Sequence, residues 1–207
     1  MNQAALPQTS FLLTKNGFCC FLYSFVLLYN SKKHIASRES DFMVFAVLCV
    51  SDRCSRGICE DKSGPLIKEL VAPLGETGEY LIVPDEKEEI EKAIIYLCDE
   101  VKADVVLTTG GTGFAPRDIT PEATRAVIER EAPGIAEAIR QKSLEITPKA
   151  MLSRAVSGIR GKSLIINLPG SPKAVRESLE FVLPVLPHAV EVLSGNTLSC
   201  GGNYNGK

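Results

Sequence analysis

An uninterrupted apolar run that ends in a polar loop is the feature that most narrows the folds open to this chain. Residues 44–50 read Val-Phe-Ala-Val-Leu-Cys-Val, and such continuous β-branched hydrophobicity is typical of a strand buried on both faces of a parallel sheet. Two further strands are predicted at 80–83 and 104–108, and a helical pattern follows each of the three. Strands that alternate with helices predict βαβ units, and therefore a parallel sheet.

Two of the predicted helices have recognisable N-termini. Asp85 and Glu88 have the spacing of a capping box, with Asp85 as N-cap. Thr120 is the predicted N-cap of the next helix, because Pro121 suits its first position. Two strands at 155–159 and 163–167 form a predicted hairpin, which adds one antiparallel strand to the sheet. The other predicted helices cover 61–74, 133–146 and 173–193, the last interrupted or kinked at Pro184 and Pro187.

The charge of the chain is low and unevenly spread. The formal net charge is −2, with a net +2 on residues 1–42 and −4 on the rest. A sequence pI near 5.8 argues against a general nucleic-acid or anionic-membrane binder, so neither is predicted as a partner. An acidic domain can still bind anions through backbone N–H groups, helix N-termini, a few basic side chains or a divalent metal.

The first 42 residues contain the most hydrophobic run in the chain, at 18–29. As a helix it would reach about 18 Å, against a hydrocarbon core of about 30 Å, so it is too short to span a bilayer. It could be an interfacial anchor, a packing segment or translated sequence outside the working protein. We favour a dispensable extension over 1–42, a domain over 43–195 that opens at Met43, and a flexible tail over 196–207.

The seven cysteines show no disulfide framework or zinc-binding spacing. There is no C-x-x-C pair, and the only two histidines are His34 and His188. This usage predicts reduced thiols in a reducing compartment, and therefore a cytoplasmic protein.

A Gly-rich segment, Thr109-Gly110-Gly111-Thr112-Gly113, directly follows the third predicted strand. Ligands of parallel sheets bind beyond the carboxyl ends of the strands, so the loops 51–57, 84–85, 109–118 and 167–173 should converge there. The glycines free the backbone to present N–H groups to a phosphate; the alternative is a tight connection that needs positive φ. The segment is not a dinucleotide fingerprint, and residues 158–163 fail the P-loop spacing.

Two aspartates just past strand ends are candidates for metal binding. Asp85 and Asp118 could hold a hydrated Mg²⁺ that bridges to substrate phosphates. The alternatives are a plain N-cap for Asp85, and a pair with Arg117 or a turn role for Asp118. Both interpretations stay open from the residues alone.

Six motifs occur in order along residues 43–195. They are Ser51-Asp52-Arg53-x-Ser55-x-Gly57, Asp61-x-Ser63-Gly64-Pro65, Val83-Pro84-Asp85-Glu86, Thr109-Gly-Gly-Thr-Gly113-Phe-Ala-Pro-Arg-Asp118-x-Thr-Pro-Glu122, Met151-Leu-Ser-Arg-Ala155 and Asn167-Leu-Pro-Gly-Ser-Pro172. In this order they resemble the molybdopterin adenylyltransferase family, which includes the G domain of gephyrin.

The resemblance implies a three-layer α/β/α fold and a nucleotidyltransferase of molybdenum cofactor biosynthesis. AMP would pass from Mg·ATP to the terminal phosphate of molybdopterin, giving adenylyl-molybdopterin and pyrophosphate. The cofactor would be Mg²⁺, with ATP and molybdopterin as substrates. The resemblance also implies a homotrimer that passes its product to a separate molybdate-inserting protein.

Each role implied by the resemblance falls on residues of the six motifs. Asp85 and Asp118 match the catalytic acidic positions, acting through Mg²⁺. The matches to the nucleotide-binding segments are Ser51, Thr109, Gly110, Gly111, Thr112, Gly113, Pro169, Gly170 and Ser171, and those nearer the pterin side are Asp52, Ser63, Ser153 and Arg154.

Two other functions are weighed against this one. A gephyrin-like scaffold would cluster receptors without essential catalysis, and a hydrolase of the competence-damage-inducible type would share a related fold. The segment Pro116-Arg117-Asp118 favours the adenylyltransferase over the hydrolase.

Deletion of residues 1–42 should leave folding and adenylylation intact, because Met43 opens the complete set of motifs. The measurement compares the thermal midpoint and the rate of pterin adenylylation of residues 43–207 with those of the full chain. An insoluble or inactive truncated protein would contradict the predicted domain boundary.

Overall fold

Six strands form one sheet in the computed structural model, which describes residues 42–195. The spatial order is β2-β1-β3-β6-β5-β4, and β5 alone runs against the other strands. The predicted hairpin is confirmed, because β5 pairs antiparallel with β6. The strands are β1 (Met43–Val50), β2 (Gly75–Val83), β3 (Val105–Thr109), β4 (Arg130–Glu131), β5 (Ser157–Arg160) and β6 (Ser163–Leu168).

Helices cover both faces of this sheet. One face packs against α2, α5, α6 and α7, and the other packs against α3 and α4. Alternate residues of β1 enter the two cores: Phe45 and Val47 on one face, Leu48 and Val50 on the other. The three-layer α/β/α fold is therefore confirmed. The helices are α1 (Asp52–Ser55), α2 (Ser63–Val71), α3 (Lys87–Asp99), α4 (Thr120–Val127), α5 (Pro133–Leu144), α6 (Pro172–Val182) and α7 (Leu186–Ser194).

Several predicted helix ends were wrong by one residue or more. The N-cap of α3 is Glu86 rather than Asp85, and neither forms a capping box there. Thr120 is the first residue of α4, after the N-cap Ile119. The predicted interruption of the last helix is confirmed at Pro184, where a 3₁₀ turn at Leu183–Val185 separates α6 from α7 because Pro184 cannot donate a helical hydrogen bond. Pro187 lies in the first turn of α7 and does not interrupt it. The strand β4 was missed, since two exposed residues carry no hydrophobic pattern.

The predicted extension and tail lie almost wholly outside the described residues. Their boundaries, at 42 and 195, therefore remain predictions, and so does the hydrophobic run at 18–29. Of the helices in the described range 42–195, none combines the length and the hydrophobicity needed to cross a membrane.

A buried asparagine joins four elements near the carboxyl end of the sheet. Asn167, on β6, donates from its amide to the hydroxyls of Thr108 and Thr124, both at 2.9 Å. Its side-chain oxygen accepts from the N–H of Val156 at 3.2 Å, just before β5. Thr124 lies in α4 and Thr108 in β3, so one amide links β3, β6, α4 and the start of β5.

Replacement of this amide should destabilise the domain. Asn167→Ala leaves buried donors and acceptors without partners, which should lower the free energy of unfolding by about 2–4 kcal/mol. The matched control is Ser178→Ala, because the buried hydroxyl of Ser178 has no hydrogen-bond partner among the described residues. Urea unfolding checks both variants; equal stability of the two would show that the Asn167 network contributes little.

Candidate active site

The loops that follow β1, β3 and β6 meet around a cavity of about 330 Å³. Four predicted nucleotide-binding residues line it: Ser51, Thr109, Gly110 and Gly170. Ser63, one of the predicted pterin residues, lines it as well. Three of the four loops predicted to converge therefore line this cavity, whereas the fourth, at 84–85, contributes Asp85 to a separate, smaller cavity.

The Gly-rich loop is packed so tightly that two of its residues must be glycine. Gly110 and Gly111 have φ of +100° and +63°, a region that other residues rarely adopt. A Cβ on Gly110 would lie 2.3 Å from the carbonyl oxygen of Val50. One on Gly111 would lie 2.4 Å from Oγ1 of Thr120 and 3.2 Å from Oδ1 of Asp85. The loop is therefore wedged between the end of β1 and the start of α4.

Three successive backbone N–H groups of this loop, those of Gly111, Thr112 and Gly113, donate no hydrogen bond to any of residues 42–195. Thr112 is buried and the two glycines are half-buried. Unpaired N–H groups in such places are uncommon in proteins, and a run of them forms a concave site for an anion. The loop therefore presents three adjacent N–H donors to an acceptor group of the size of a phosphate.

The Asn167–Pro172 segment holds the other side of the Gly-rich loop. Thr109 donates its hydroxyl to the carbonyl oxygen of Pro169 at 2.7 Å, and Ser63 donates to that of Gly170 at 2.9 Å. A Cβ on Gly170 would lie 3.3 Å from the Cα of Gly110. Ser171 is exposed and caps α6 by accepting from the N–H of Ala174. The two predicted nucleotide-binding segments are thus in direct contact.

Arg154, predicted on the pterin side, is bound to the Gly-rich loop. Its Nε donates to the carbonyl oxygen of Gly113 at 2.6 Å, and its own N–H donates to that of Thr112 at 2.9 Å. The same guanidinium donates to the carbonyl oxygen of Asp118 and pairs with Glu122. Its donors are therefore committed to holding the loop. Ser153, beside it, is half-buried, and its hydroxyl accepts weakly from the N–H of Ala155 at 3.4 Å.

Asp52 and Asp85 bind each other through their backbones. The N–H of Asp52 donates to Oδ2 of Asp85 at 2.7 Å, and the N–H of Asp85 donates to Oδ1 of Asp52 at 3.3 Å. Burial raises the pKa of the Asp85 carboxyl, and the negative charge of Asp52 adds to that effect. No hydrogen bond within the described residues reaches Oδ1 of Asp85, which lies against the Gly-rich loop. A partly desolvated carboxylate with a free oxygen is suited to a cation.

Arg117 connects these carboxylates to the loop after β3. Its guanidinium binds Asp52 through two hydrogen bonds, at 2.6 and 3.0 Å, and donates to Glu86 at 2.8 Å. The Arg117 hydrogen bond holds the pKa of the Asp52 carboxyl below its usual range. The alternative that paired Asp118 with Arg117 is therefore wrong, because this guanidinium binds Asp52 and Glu86 instead. A second cavity of about 200 Å³ lies here, lined by Asp85 and Arg117.

Asp118 takes the turn role that was the alternative to metal binding, but only with one oxygen. Its Oδ2 accepts from the N–H of Ala115 at 2.9 Å. A Cβ on Gly113 would lie 2.8 Å from the same oxygen, so this carboxylate is also in contact with the Gly-rich loop. Its second oxygen has no hydrogen bond within residues 42–195 and remains a potential ligand.

The described residues contain no group of three or more His, Cys, Asp or Glu placed to hold a metal by themselves. Mg²⁺ needs fewer protein ligands, because one or two carboxylates commonly hold it together with substrate phosphates and water. Asp85 and Asp118 each offer a free oxygen beside the Gly-rich loop, so the donor set fits such an ion.

Asp61, the first residue of the second motif, has a clear structural role. The carboxylate of Asp61 is buried beside the cavity and accepts from the N–H groups of Ser63 and Gly64 at 2.8 and 3.0 Å. It also accepts from the hydroxyl of Tyr80 at 2.7 Å. The Asp-x-Ser-Gly spacing suits an aspartate that bonds to the backbone two residues ahead, which was the available signal.

A mostly parallel sheet with helices on both faces and its loops gathered at the strand ends belongs to the class of open α/β folds, which bind ligands at that edge. Residues 46–188 match the family described as "Probable molybdopterin binding domain". The chain belongs to this family.

Relatives and solved structures agree with this assignment. The molybdopterin adenylyltransferase of Helicobacter pylori strain J99 is 52% identical over 155 residues, which is 72% of this chain and 87% of that protein. Gephyrin of Dictyostelium discoideum is 44% identical over 82% of this chain and 25% of its own length. The molybdopterin biosynthesis enzyme MoaB of Thermus thermophilus superposes with a TM-score of 0.71 at 50% identity, covering 74% of this chain and 98% of that structure.

Removal of Arg117 should change the titration of Asp52. Because the Asp52 carboxyl titrates below its ordinary value of about 3.9, its ion pair stabilises the fold above that pH. This stability is lost as the pH falls through the lowered pKa. Arg117→Gln should return the pKa of Asp52 toward its ordinary range and remove the contribution, as carbon NMR titration of the carboxyl groups would show.

The matched control is Arg160→Gln, at a different part of the domain. Arg160 holds the pKa of Asp99 low in the same way, so this variant should move Asp99 and leave Asp52 alone. An unchanged Asp52 titration in Arg117→Gln would refute the proposed link between the loops.

Proposed function

We propose that this chain is a molybdopterin adenylyltransferase of molybdenum cofactor biosynthesis. It transfers AMP from Mg·ATP to the terminal phosphate of molybdopterin and releases pyrophosphate. The run of three free N–H groups at Gly111, Thr112 and Gly113 is the observation that carries the proposal, because ATP phosphates supply the acceptors they lack. Family membership and 52% identity over most of a bacterial adenylyltransferase support it.

The Gly-rich loop binds the phosphate chain of the nucleotide. The loop is fixed before substrate arrives, since Thr109, Thr120 and Arg154 hold its backbone from three sides. A fixed array of donors needs little reorganisation as charge shifts from the α-phosphate to the leaving pyrophosphate. Ser51 and residues 169–171 complete the nucleotide side of the site.

Asp85 and Asp118 hold Mg²⁺ beside this loop. Bound there, such an ion would supply positive charge to offset the charge of the phosphate oxygens. Asp85 is suited to this role because burial raises its pKa, and a cation would stabilise the charged form of a carboxylate that burial disfavours. Asp52 positions the Asp85 carboxylate through its backbone N–H, and Arg117 fixes Asp52 in turn.

The four residues assigned to the pterin side contribute in different ways. Ser63 lines the cavity and is the one placed to contact substrate there. Asp52 acts on Asp85, and Arg154 acts on the Gly-rich loop, so these two support the site without binding the pterin. Ser153 lies next to Arg154, but it lines neither of the two cavities, and within residues 42–195 its hydroxyl contacts only the N–H of Ala155.

We also propose that the enzyme is a cytoplasmic homotrimer that delivers its product to a separate molybdate-inserting protein. Exposed apolar side chains near the end of α5 and in the 3₁₀ helix Pro148–Leu152 support assembly, since such groups commonly pack against a partner. They are Leu144, Ile146, Met151 and Leu152.

The two carboxylates provide the decisive test. Asp85→Asn and Asp118→Asn keep the side-chain size but remove a charge, so each should lower the adenylylation rate by about 10² or more. The thermal midpoints should change little, because Asp85 caps no helix and an amide oxygen can still accept the N–H of Asp52 or Ala115. Molybdopterin binding should persist in both variants.

The matched control is Asp99→Asn, which removes a carboxylate paired with Arg160 rather than one at the candidate site. This variant should keep the full rate. Near-wild-type rates for both Asp85→Asn and Asp118→Asn would remove these residues from the active site.

A further inference from the structure

Two cysteine sulfurs touch beside the substrate cavity. Sγ of Cys54 and Sγ of Cys59 are 3.0 Å apart, and both residues are half-buried, free thiols. Cys54 lines the 330 Å³ cavity together with Ser51 and Ser63. Neither thiol has a part in the proposed transfer reaction, which requires no sulfur nucleophile.

A tight turn fixes this contact. Gly57, with φ of +69°, reverses the chain after α1, and its N–H donates to the carbonyl oxygen of Cys54 at 3.0 Å. The carbonyl oxygen of Arg53 accepts from the N–H of Ile58 at 2.9 Å. These bonds hold the two side chains on the same side of the turn. The sulfurs are therefore brought together by the backbone rather than by chance rotamers.

We propose that Cys54 and Cys59 form a reversible disulfide that reshapes this wall of the cavity. A disulfide has an S–S distance of about 2.05 Å, so the sulfurs need approach by only about 1 Å. Closing so short a loop restricts the unfolded chain little, and the bond remains open to reduction. Disulfides of this kind in a reducing compartment are transient and serve as redox sensors.

The oxidant in this reaction is a small-molecule disulfide such as oxidised glutathione. The Cys54 sulfur, after losing its proton to solvent, attacks one glutathione sulfur; the glutathione S–S bond breaks, and one glutathione leaves and takes up a proton. Cys59, after losing its proton, then attacks the Cys54 sulfur and releases the second glutathione. Two cysteine thiols are oxidised by two electrons, and one glutathione disulfide is reduced to two thiols.

Closure should weaken nucleotide binding, a consequence that rests on the proposed function. The N–H of Cys54 donates to Oγ of Ser51, and α1 also carries Asp52, whose N–H positions Asp85. Movement of Cys54 toward Cys59 therefore pulls on the residue that lines the nucleotide side and on the residue that orients a carboxylate.

Peptide mapping of the full chain tests the bond itself. Trypsin cuts after Arg53, Arg56 and Lys62, so the disulfide would join peptide 54–56 to peptide 57–62. After incubation with oxidised glutathione we expect this linked pair, its loss on adding dithiothreitol, and its absence in Cys54→Ser and Cys59→Ser. Cys98→Ser is the matched control and should keep the linked pair, since burial raises the pKa of Cys98 to about 11 and the residue lies on α3.

Three results would overturn the proposal: glutathione retained on Cys54 without closure, a bond from Cys54 to peptide 39–53, which contains Cys49, or a metal ion that binds both thiols and blocks oxidation. Calorimetry with Mg·ATP then tests the consequence, with a roughly threefold or greater loss of affinity expected on oxidation and no loss in Cys59→Ser. Equal affinity of the reduced and oxidised forms would refute the reshaping of the cavity.

If the reduced protein fails to bind Mg·ATP, the proposed function fails while the mapped disulfide still stands.

Discussion

The close approach of the Gly-rich loop to the backbone around it is the constraint on which the site depends. Gly110 lies against the end of β1 and Gly111 against the start of α4, with no room for a side chain on either. This packing brings the loops after β1, β3 and β6 within reach of one ligand. It also leaves the N–H groups of residues 111–113 without partners in the part of the chain that the structure describes, because backbone held in this turn cannot continue a strand or begin a helix.

Two arginines support the Gly-rich loop in different ways. Arg154 donates hydrogen bonds to the backbone carbonyl oxygens of Gly113 and Asp118 and thereby holds the loop in a fixed geometry. Arg117 instead forms an ion pair with Asp52, which lowers the pKa of that carboxyl and keeps it negatively charged. Burial has the opposite effect on its neighbour Asp85, whose pKa is raised. Asp52 is thus charged and held in place, while Asp85 beside it is partly desolvated. In this arrangement a bound cation interacts most strongly with the desolvated carboxylate, that of Asp85.

The fold was largely predictable because its signals are local. Each buried strand is a short apolar run, and the loops that matter follow the strand ends directly, so a parallel sheet brings them together without further information. The predicted role of Asp85 as an N-cap shows where local signals fail. The capping-box spacing is present, but the N–H of Asp52, 33 residues away, takes the carboxylate instead. For the same reason the role of Arg117 was not predicted, because its partner Asp52 is 65 residues distant in the sequence.

The sequence by itself determined five of the six strands, the one reversed strand, the Gly-rich loop and the family motifs, since these depend on hydrophobic periodicity, turn chemistry and the order of residues along the chain. Only the tertiary structure decided what the polar side chains do. In the tertiary structure Arg154 binds the backbone of the Gly-rich loop. Asp85 and Asp118 each use one carboxylate oxygen as an anchor and leave the other available to a ligand, and Cys54 lies against Cys59 at the cavity wall. A hydrogen bond depends on a few tenths of an ångström between groups distant in sequence, and no local pattern specifies such a distance.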